Sequence, residues 1–568
     1  MKPHKHIRQI VYRCFPIFIL VVCSIGLFIR NFYSFSWSDE SFYLTIVHRF
    51  WLRERIIADE WYTTQLSAPL LLPFYSLFQW ITGGNEGIYL YFRVLYWGIS
   101  TFTVFFTYCK LKKNNSRLAS LLCALSYYLY SRANIGGMSY YNVTLTCTLL
   151  AAILLYEQIC DQKKNNIKLY ISGILLAFAV VNTPFLAIPY VTIGIYLFGR
   201  KKYRILWHEI LVVIAGTGTA AVVYMGYVLH NVSIDEILQN IPHILNEPEM
   251  QSTNPILVIP IIMARIVWRY KWTIWGSFLL TVFNGYRRKK PVLLMWVNFL
   301  IFLCNAFLSR DLLGCINIAG ILFVIPMILF FSDKKKLDKK VLGVFGTAGC
   351  SLVLGFSFSS DTGLDAMAIG FVLLEIGAVL LVFQLNKLQQ NKLIFGITLA
   401  AFIVMIFQTA MLRFFSVYRD APMSQLNMQI TSGPAKYLYT TQEHTEEYDK
   451  LKAAIEQYVR EDDLVFYSKE CFWSYLCTNN KYGIPSSWRM SLDSPRLEEY
   501  YELYPEKIPT CIFVLNPSYG NFESSMILNN EKVEYPNENN MRGYLYDYVQ
   551  EHDYETIELE CATIYRKR

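Results

Sequence analysis

Two adjacent carboxylates, Asp39 and Glu40, stand ten residues beyond a hydrophobic run, Cys14 to Ile29, in the segment Ser36-Trp37-Ser38-Asp39-Glu40-Ser41-Phe42-Tyr43. A carboxylate fixed where membrane meets water can serve as a general base on a substrate half buried in lipid. The same stretch carries His48, Arg49, Arg53 and Arg55, then Asp59, Glu60, Gln65 and Ser67. Arg93, Arg132 and Arg310 stand at the outer ends of later apolar runs, on the side where basic residues are disfavoured. Guanidinium binds phosphate through a planar fork, so these residues predict an acid–base step beside an anionic lipid headgroup. The plainer readings are a solvated loop carboxylate and arginines that snorkel or pair with a neighbouring acid, as Asp311 offers Arg310. Trp37 and Tyr43 are the aromatics beside the acidic pair that could stack on a bound substrate, with membrane-interface anchoring as the alternative for Trp37. Asp39, Glu40, Asp59 and Glu60 could also hold a divalent cation through oxygen ligands, whereas no Cys or His spacing resembles a zinc site.

The elements that must position these residues are membrane helices. The chain is 54% hydrophobic and 17% charged, where globular proteins carry about a quarter charged residues. Apolar runs near twenty residues recur at 12–29, 89–109, 117–133, 140–158, 168–182, 185–199, 210–229, 266–284, 291–308, 313–332, 341–358, 367–385 and 393–415, which predicts a polytopic helical membrane protein of about thirteen spans. The first run is read as an uncleaved anchor, since no small-residue cleavage site follows it. With the N-terminus inside, the basic loops at 110–117, 163–164, 200–204, 287–290, 334–340 and 387–392 all fall on the cytoplasmic side, as the positive-inside rule requires. Asp39 and Glu40 then lie outside, in a large first outer loop over 30–88. Within it, Leu66 to Ile81 reads as a helix in the outer interface, following the amphipathic stretch Phe50 to Trp61.

Composition changes at Ser416. Residues 416–568 hold 15 Lys and Arg against 25 Asp and Glu, a balance of −10 in a chain whose total is +8. Residues 1–415 therefore read as the membrane domain and 416–568 as a soluble α/β domain outside the membrane. A helix is expected over Glu446–Val459, strands over Leu464–Tyr467 and Cys511–Leu515, a helix over Asn540–Glu551, and one or two closing strands over Thr556–Tyr565. Cys471 with Cys477 is the local candidate for a disulfide, beside Cys511 and Cys561.

Taken together, these features resemble the GT-C glycosyltransferases, in particular the protein O-mannosyltransferase and aminoarabinose transferase branch. Ser38-Asp39-Glu40-Ser41-Phe42-Tyr43 is similar to that family's Asp-Glu-x-x-Tyr motif, with Tyr43 three residues after Glu40. Pro69 matches its proline before the interfacial helix, and Arg93 and Arg310 its outer arginines. Ser432 to Thr441 resembles a segment that opens the outer domain of many bacterial members. Two departures stand out: Ser67-Ala68 replace a histidine, and a later outer-loop carboxylate finds only Tyr140-Tyr141-Asn142.

The resemblance implies a polyprenyl-phosphate-linked sugar as donor and transfer on the outer face of a bacterial plasma membrane. The acceptor would be a glycan, lipid or protein, and nothing points to nucleic acid. On this reading Asp39 is the base and Glu40 orients it or binds the acceptor. Arg93, Arg310 and Arg132 stabilise the departing phosphate, and attack opposite that group inverts the sugar carbon. Two other classes compete. A transporter or flippase would show mid-span ionisable residues and broken helices, for which Glu375 is the one plausible acid. A membrane scaffold would use the C-terminal domain to bind a partner.

Overall fold

The computed structural model describes residues 2–161, 165–199, 206–246, 255–287, 292–308, 316–331, 337–359, 364–389, 392–468, 471–488, 490–516 and 543–568. Helices dominate up to residue 415. The first six are α1 (Lys2–Arg30), α2 (Asp39–Trp51), α3 (Ala68–Thr82), α4 (Ile88–Leu111), α5 (Arg117–Tyr128) and α6 (Tyr140–Cys160). Among the described residues, five helices are long and apolar enough to cross a membrane: Tyr140–Cys160, Trp207–Asn231, Lys339–Phe358, Ala366–Asn386 and Lys392–Phe415. Five shorter apolar helices accompany them, Cys14–Arg30, Asn166–Asn182, Pro184–Gly199, Val292–Phe307 and Ile316–Ile328. The chain is thus a polytopic helical membrane protein.

Three of the thirteen expected spans differ in form. Helix α4 is long enough, but its Arg93, its Lys110 and its many aromatics dilute its apolar character. The expected span 117–133 stops as a helix at Tyr128, because a turn at Arg132–Asn134 places Ala133 at φ 50°. The expected span 266–284 is broken near Tyr270 into Pro255–Arg269 and Lys271–Arg287.

Helix α2, which the sequence pattern placed further along, starts at Asp39 itself. Asp39 and Glu40 occupy its first turn, where carboxylates complement the helix dipole. Every residue from Glu40 to Phe50 is buried. The helix is buried all round because it is enclosed, with α3 on one side and the segment 472–482 on the other, and its buried Glu40, Thr45, His48 and Arg49 are each hydrogen-bonded. Thr45 Oγ1 donates to the Phe472 carbonyl at 2.9 Å, and the Tyr482 hydroxyl donates to the Thr45 carbonyl at 3.2 Å. Helix α3 falls where the sequence predicts a helix and exposes Leu77, Trp80 and Ile81.

The acidic C-terminal part is built on a four-stranded sheet. A short pair, β1 (Met428–Gln429) and β2 (Tyr439–Thr440), precedes it. The sheet itself comprises β3 (Val465–Tyr467), β4 (Cys511–Leu515), β5 (Tyr554–Glu558) and β6 (Ala562–Lys567), in the order β3-β4-β6-β5. The β3/β4 pair is parallel and the other two are antiparallel. The Gln442–Tyr458 helix and the Tyr544–Glu551 helix flank this part; residues 540–542 of the latter's expected span lie outside the described residues. The expected Cys471–Cys477 disulfide is absent: both are free thiols, as are Cys511 and Cys561. A 3-10 turn over Phe472–Leu476 separates the two, with Cys471 Sγ set 2.8 Å from Ser474 Oγ.

One hydrophobic core runs from the first outer loop into the C-terminal part. It contains Phe35, Trp37, Phe42, Trp61, Tyr89, Tyr448 and Trp473 together with β3 and β4. The first loop is therefore clamped between membrane helices and the sheet-bearing part.

Candidate functional site

Asp39 is the one residue between Ser34 and Phe50 that is not buried. Its carboxylate faces a small polar set. Ser38 Oγ donates to Asp39 Oδ2 at 3.2 Å, Arg419 Nη1 lies 3.5 Å from the same oxygen, and the Tyr418 hydroxyl is hydrogen-bonded to the carboxylate. Arg419 also donates to Ser38 Oγ. Burial first, then the charge of Asp39, pushes the Tyr43 phenol well above its ordinary range. The same two causes raise the Tyr418 phenol. Both phenols therefore stay protonated as donors around the acid.

The loop that presents Asp39 is fixed from a distance. Asp420 is fully buried and accepts from the Phe35 backbone N–H at 2.7 Å and from Thr440 Oγ1 at 2.8 Å, with His444 Nδ1 also at 2.8 Å. Arg30, closing α1, donates to the carbonyls of Tyr33 and Ser416. Residues 416–421 thus tie the exit of α1 to the start of α2.

Glu40 takes no part in that open face. Arg93 Nε donates to Glu40 Oε1 at 2.8 Å and Nη2 to Oε2 at 2.5 Å, with both side chains at most 4% exposed. Arg93 Nη1 is occupied by the carbonyls of Asn31 and Tyr33. Arg93 was expected to meet a lipid phosphate, but its donors are committed to Glu40 and to backbone. Gly136 and Gly137 allow this closeness, since a Cβ at Gly137 would fall 2.9 Å from Glu40 Oε1. Asn142 shapes the same loop by donating to the carbonyls of Ile135 and Gly137.

Arg132 is different. It is 8% exposed, its Nε has no hydrogen-bond partner, and its guanidinium meets no carboxylate within ion-pair distance among the described residues. It lies 4.0 Å over the Tyr141 ring, and Tyr140, Tyr418 and Asp39 are its other ionisable neighbours. Tyr140 packs closely on Tyr141 and edge-on to Tyr43. A buried cation with no ion pair can receive an anion. The arrangement sets a partly exposed carboxylate and a buried guanidinium with no ion pair among the same tyrosines, Tyr140, Tyr141 and Tyr418.

The remaining expectations fall as follows. Trp37 is neither an anchor nor exposed for stacking: it is 3% exposed among Phe35, His444, Tyr448 and Trp473. Arg310 lies outside the described residues. The four carboxylates considered for a cation do not form one set, because Glu40 is bound to Arg93, Asp59 to Arg55 and Glu60 to Arg49. Among the described residues no three His, Cys, Asp or Glu side chains could hold a metal. Arg49, Glu54, Glu60, Asp59 and Lys507 instead form a buried ionic network that bonds the first loop to the C-terminal part. Glu375 accepts from Ser126 Oγ at 2.8 Å in the helix core. Sequence reasoning missed Tyr418, Arg419 and Asp420, whose signal was only their position just beyond the last apolar run. It had noted Tyr140 and Tyr141 merely as the absence of an acid.

No family model matches the chain, and no curated protein matches it. Among solved structures, the chain is similar to ArnT from Cupriavidus metallidurans, crystallised bound to undecaprenyl phosphate. The two are 10% identical, the match covers 97% of this chain and 98% of that chain, and the TM-score is 0.45.

Proposed function

We propose that this protein is a membrane glycosyltransferase, which moves a sugar from a polyprenyl-phosphate-linked donor to an acceptor hydroxyl on the outer face of a plasma membrane. The observation that carries this reading is that Asp39, alone partly exposed in a buried stretch, and the buried guanidinium of Arg132, which makes no ion pair, lie among the same tyrosines. The acceptor oxygen bonds to the anomeric carbon as its proton passes to the Asp39 carboxylate. The carbon–oxygen bond to the lipid phosphate breaks, and the phosphate leaves with the electron pair. Arg132 receives the negative charge that develops on the phosphate. Phosphate is a good leaving group, so one base suffices, and attack from the opposite face inverts the sugar carbon.

The other residues take positioning roles. Glu40 and Arg93 lock the first turn of α2, and Arg419 with Ser38 orients the Asp39 carboxylate. Tyr43, Tyr140 and Tyr418 supply hydroxyls and ring faces for the sugar. Loop-charge parity supports an N-terminus in the cytoplasm and residues 416–568 outside as one domain. A partly exposed carboxylate alone would suit transport as well; Arg132, buried without an ion pair among the same tyrosines, favours transfer from a phosphate.

The test uses purified protein in liposomes loaded with radiolabelled polyprenyl-phosphate sugars, with free polyprenyl phosphate as the product read. Turnover is expected with at least one sugar, and Arg132→Gln should raise the donor KM about tenfold or more, the loss of one charge-assisted phosphate contact. Solute flux without release of polyprenyl phosphate would turn the reading to a transporter.

A further inference from the structure

The Ile234–Leu245 helix follows the membrane-crossing Trp207–Asn231 helix after two residues, Val232 and Ser233. A capping box fixes the turn: Ser233 Oγ accepts from the Glu236 N–H, and the Glu236 carboxylate accepts from the Ser233 N–H. Two residues reach at most about 7 Å, so the shorter helix starts at the level where the span leaves the bilayer. The span itself is peripheral, with Val222, Val223, Met225 and Leu229 exposed along it. The Ile234–Leu245 helix therefore emerges at a lipid-facing margin of the molecule.

This helix turns its polar face to the protein. Asn240, fully buried, accepts from Trp61 Nε1 at 2.7 Å and donates to the Tyr504 hydroxyl at 2.7 Å. Glu236 accepts from Arg55 Nη1 at 2.5 Å. The His243 ring stacks on Trp61 with centroids 4.4 Å apart, and its Nδ1 lies 2.9 Å from Glu499 Oε2. The aliphatic face points the other way: Ile234, Leu238, Ile241 and Leu245 are 62, 64, 40 and 63% exposed. At about 100° per residue these four fall within an arc of about 60°, roughly opposite Glu236, Asn240 and His243. A water-facing helix has the reverse arrangement, with its apolar stripe toward the core.

We infer that the Ile234–Leu245 helix lies in the plane of the membrane surface, with its aliphatic stripe in the boundary between lipid headgroups and acyl chains. Lipid is the occupant because the helix begins where a lipid-bathed span ends. A second copy of the chain is a poorer match, since one helix face of four side chains falls short of the about 800 Å² per partner that a stable interface buries. By its polar face the helix grips Arg55 and Trp61 of the first loop and Glu499 and Tyr504 of the C-terminal part. It thereby fastens both to the bilayer surface.

Photocrosslinking of the full chain in liposomes tests this, with radiolabelled phosphatidylglycerol as the probe. The photoreactive residue p-benzoylphenylalanine, placed at Leu238 or at Leu245, should capture lipid about tenfold more than the same residue at Gln239 on the flank. Leu238→Asp with Ile241→Asp should abolish capture at Leu245 while leaving the unfolding midpoint in detergent unchanged, because these side chains point away from the protein. None of these readouts depends on sugar transfer. Capture at Leu238 no higher than at Gln239 would overturn the inference. So would crosslinking of one chain to another through Leu238, which would make this face an interface between copies.

Discussion

Glu40→Gln removes the negative half of a buried ion pair whose contacts with Arg93 are 2.8 and 2.5 Å. The guanidinium then stays buried with only the carbonyls of Asn31 and Tyr33 as partners. Breaking a buried pair from one side costs about 3–5 kcal/mol, because the surviving charge remains uncompensated. Arg93→Gln should cost a similar amount, since it strands the carboxylate against the Gly136-Gly137 backbone. The double variant buries no net charge, so its cost should fall short of the sum by about 2–3 kcal/mol. Equilibrium unfolding in detergent reads all four corners of this cycle. Transfer should also fall in each single variant, on the order of a hundredfold, since the pair fixes the turn that carries Asp39 and small displacements are costly. Additive costs, within about 0.5 kcal/mol, would refute the claim that Glu40 and Arg93 act as one unit. So would full activity in Glu40→Gln.

His48 is buried, with Nδ1 2.6 Å from the Tyr75 hydroxyl, and burial lowers its pKa to about 3, against a weaker opposing hydrogen bond involving Thr478. The unfolded chain therefore binds a proton that the folded chain refuses between about pH 6.5 and 3. Stability from this group is complete above about pH 6.5 and is lost as pH falls toward 3, with a ceiling of about 5 kcal/mol; His48→Gln should flatten that acid limb in unfolding scans. Trp37→Ala should cost about 3–5 kcal/mol as a cavity in the core while leaving the donor KM unchanged, and a selective rise in KM would return Trp37 to sugar contact. Because Cys471, Cys477, Cys511 and Cys561 are free, dithiothreitol should not move the unfolding midpoint, whereas a fall would show a disulfide.

Much of the fold was legible because lipid imposes a simple code. Apolar length located the helices, and the run 117–133 misled because the helix stops at Tyr128 ahead of the turn at Arg132–Asn134, where Ala133 takes φ 50°. In the C-terminal part, apolar runs bounded by turn residues marked β3, β4 and the closing hairpin within a residue or two. The site was half legible. Asp39 and Arg132 could be named from type and position, since a membrane surface leaves few reasons for either. Their partners could not. Whether Arg93 meets a phosphate or Glu40 depends on a contact across 53 residues, made possible by two glycines. Arg419 and Asp420 reach the first loop across more than 380 residues, and no local pattern encodes such a distance. Trp37 looked like an interface aromatic because its neighbours Tyr448 and Trp473 are equally remote.

The central claim is that Asp39 takes the acceptor proton in a reaction that departs from a lipid phosphate held by Arg132. The most direct measurement is single-turnover transfer from a radiolabelled polyprenyl-phosphate sugar by wild type and Asp39→Asn, with donor binding read on the same samples. The account predicts that Asp39→Asn binds donor with little change and loses the chemical step by about 10²–10⁴-fold, the usual share of a general base. Transfer at the wild-type rate in Asp39→Asn, with the protein folded and the donor bound, would contradict it.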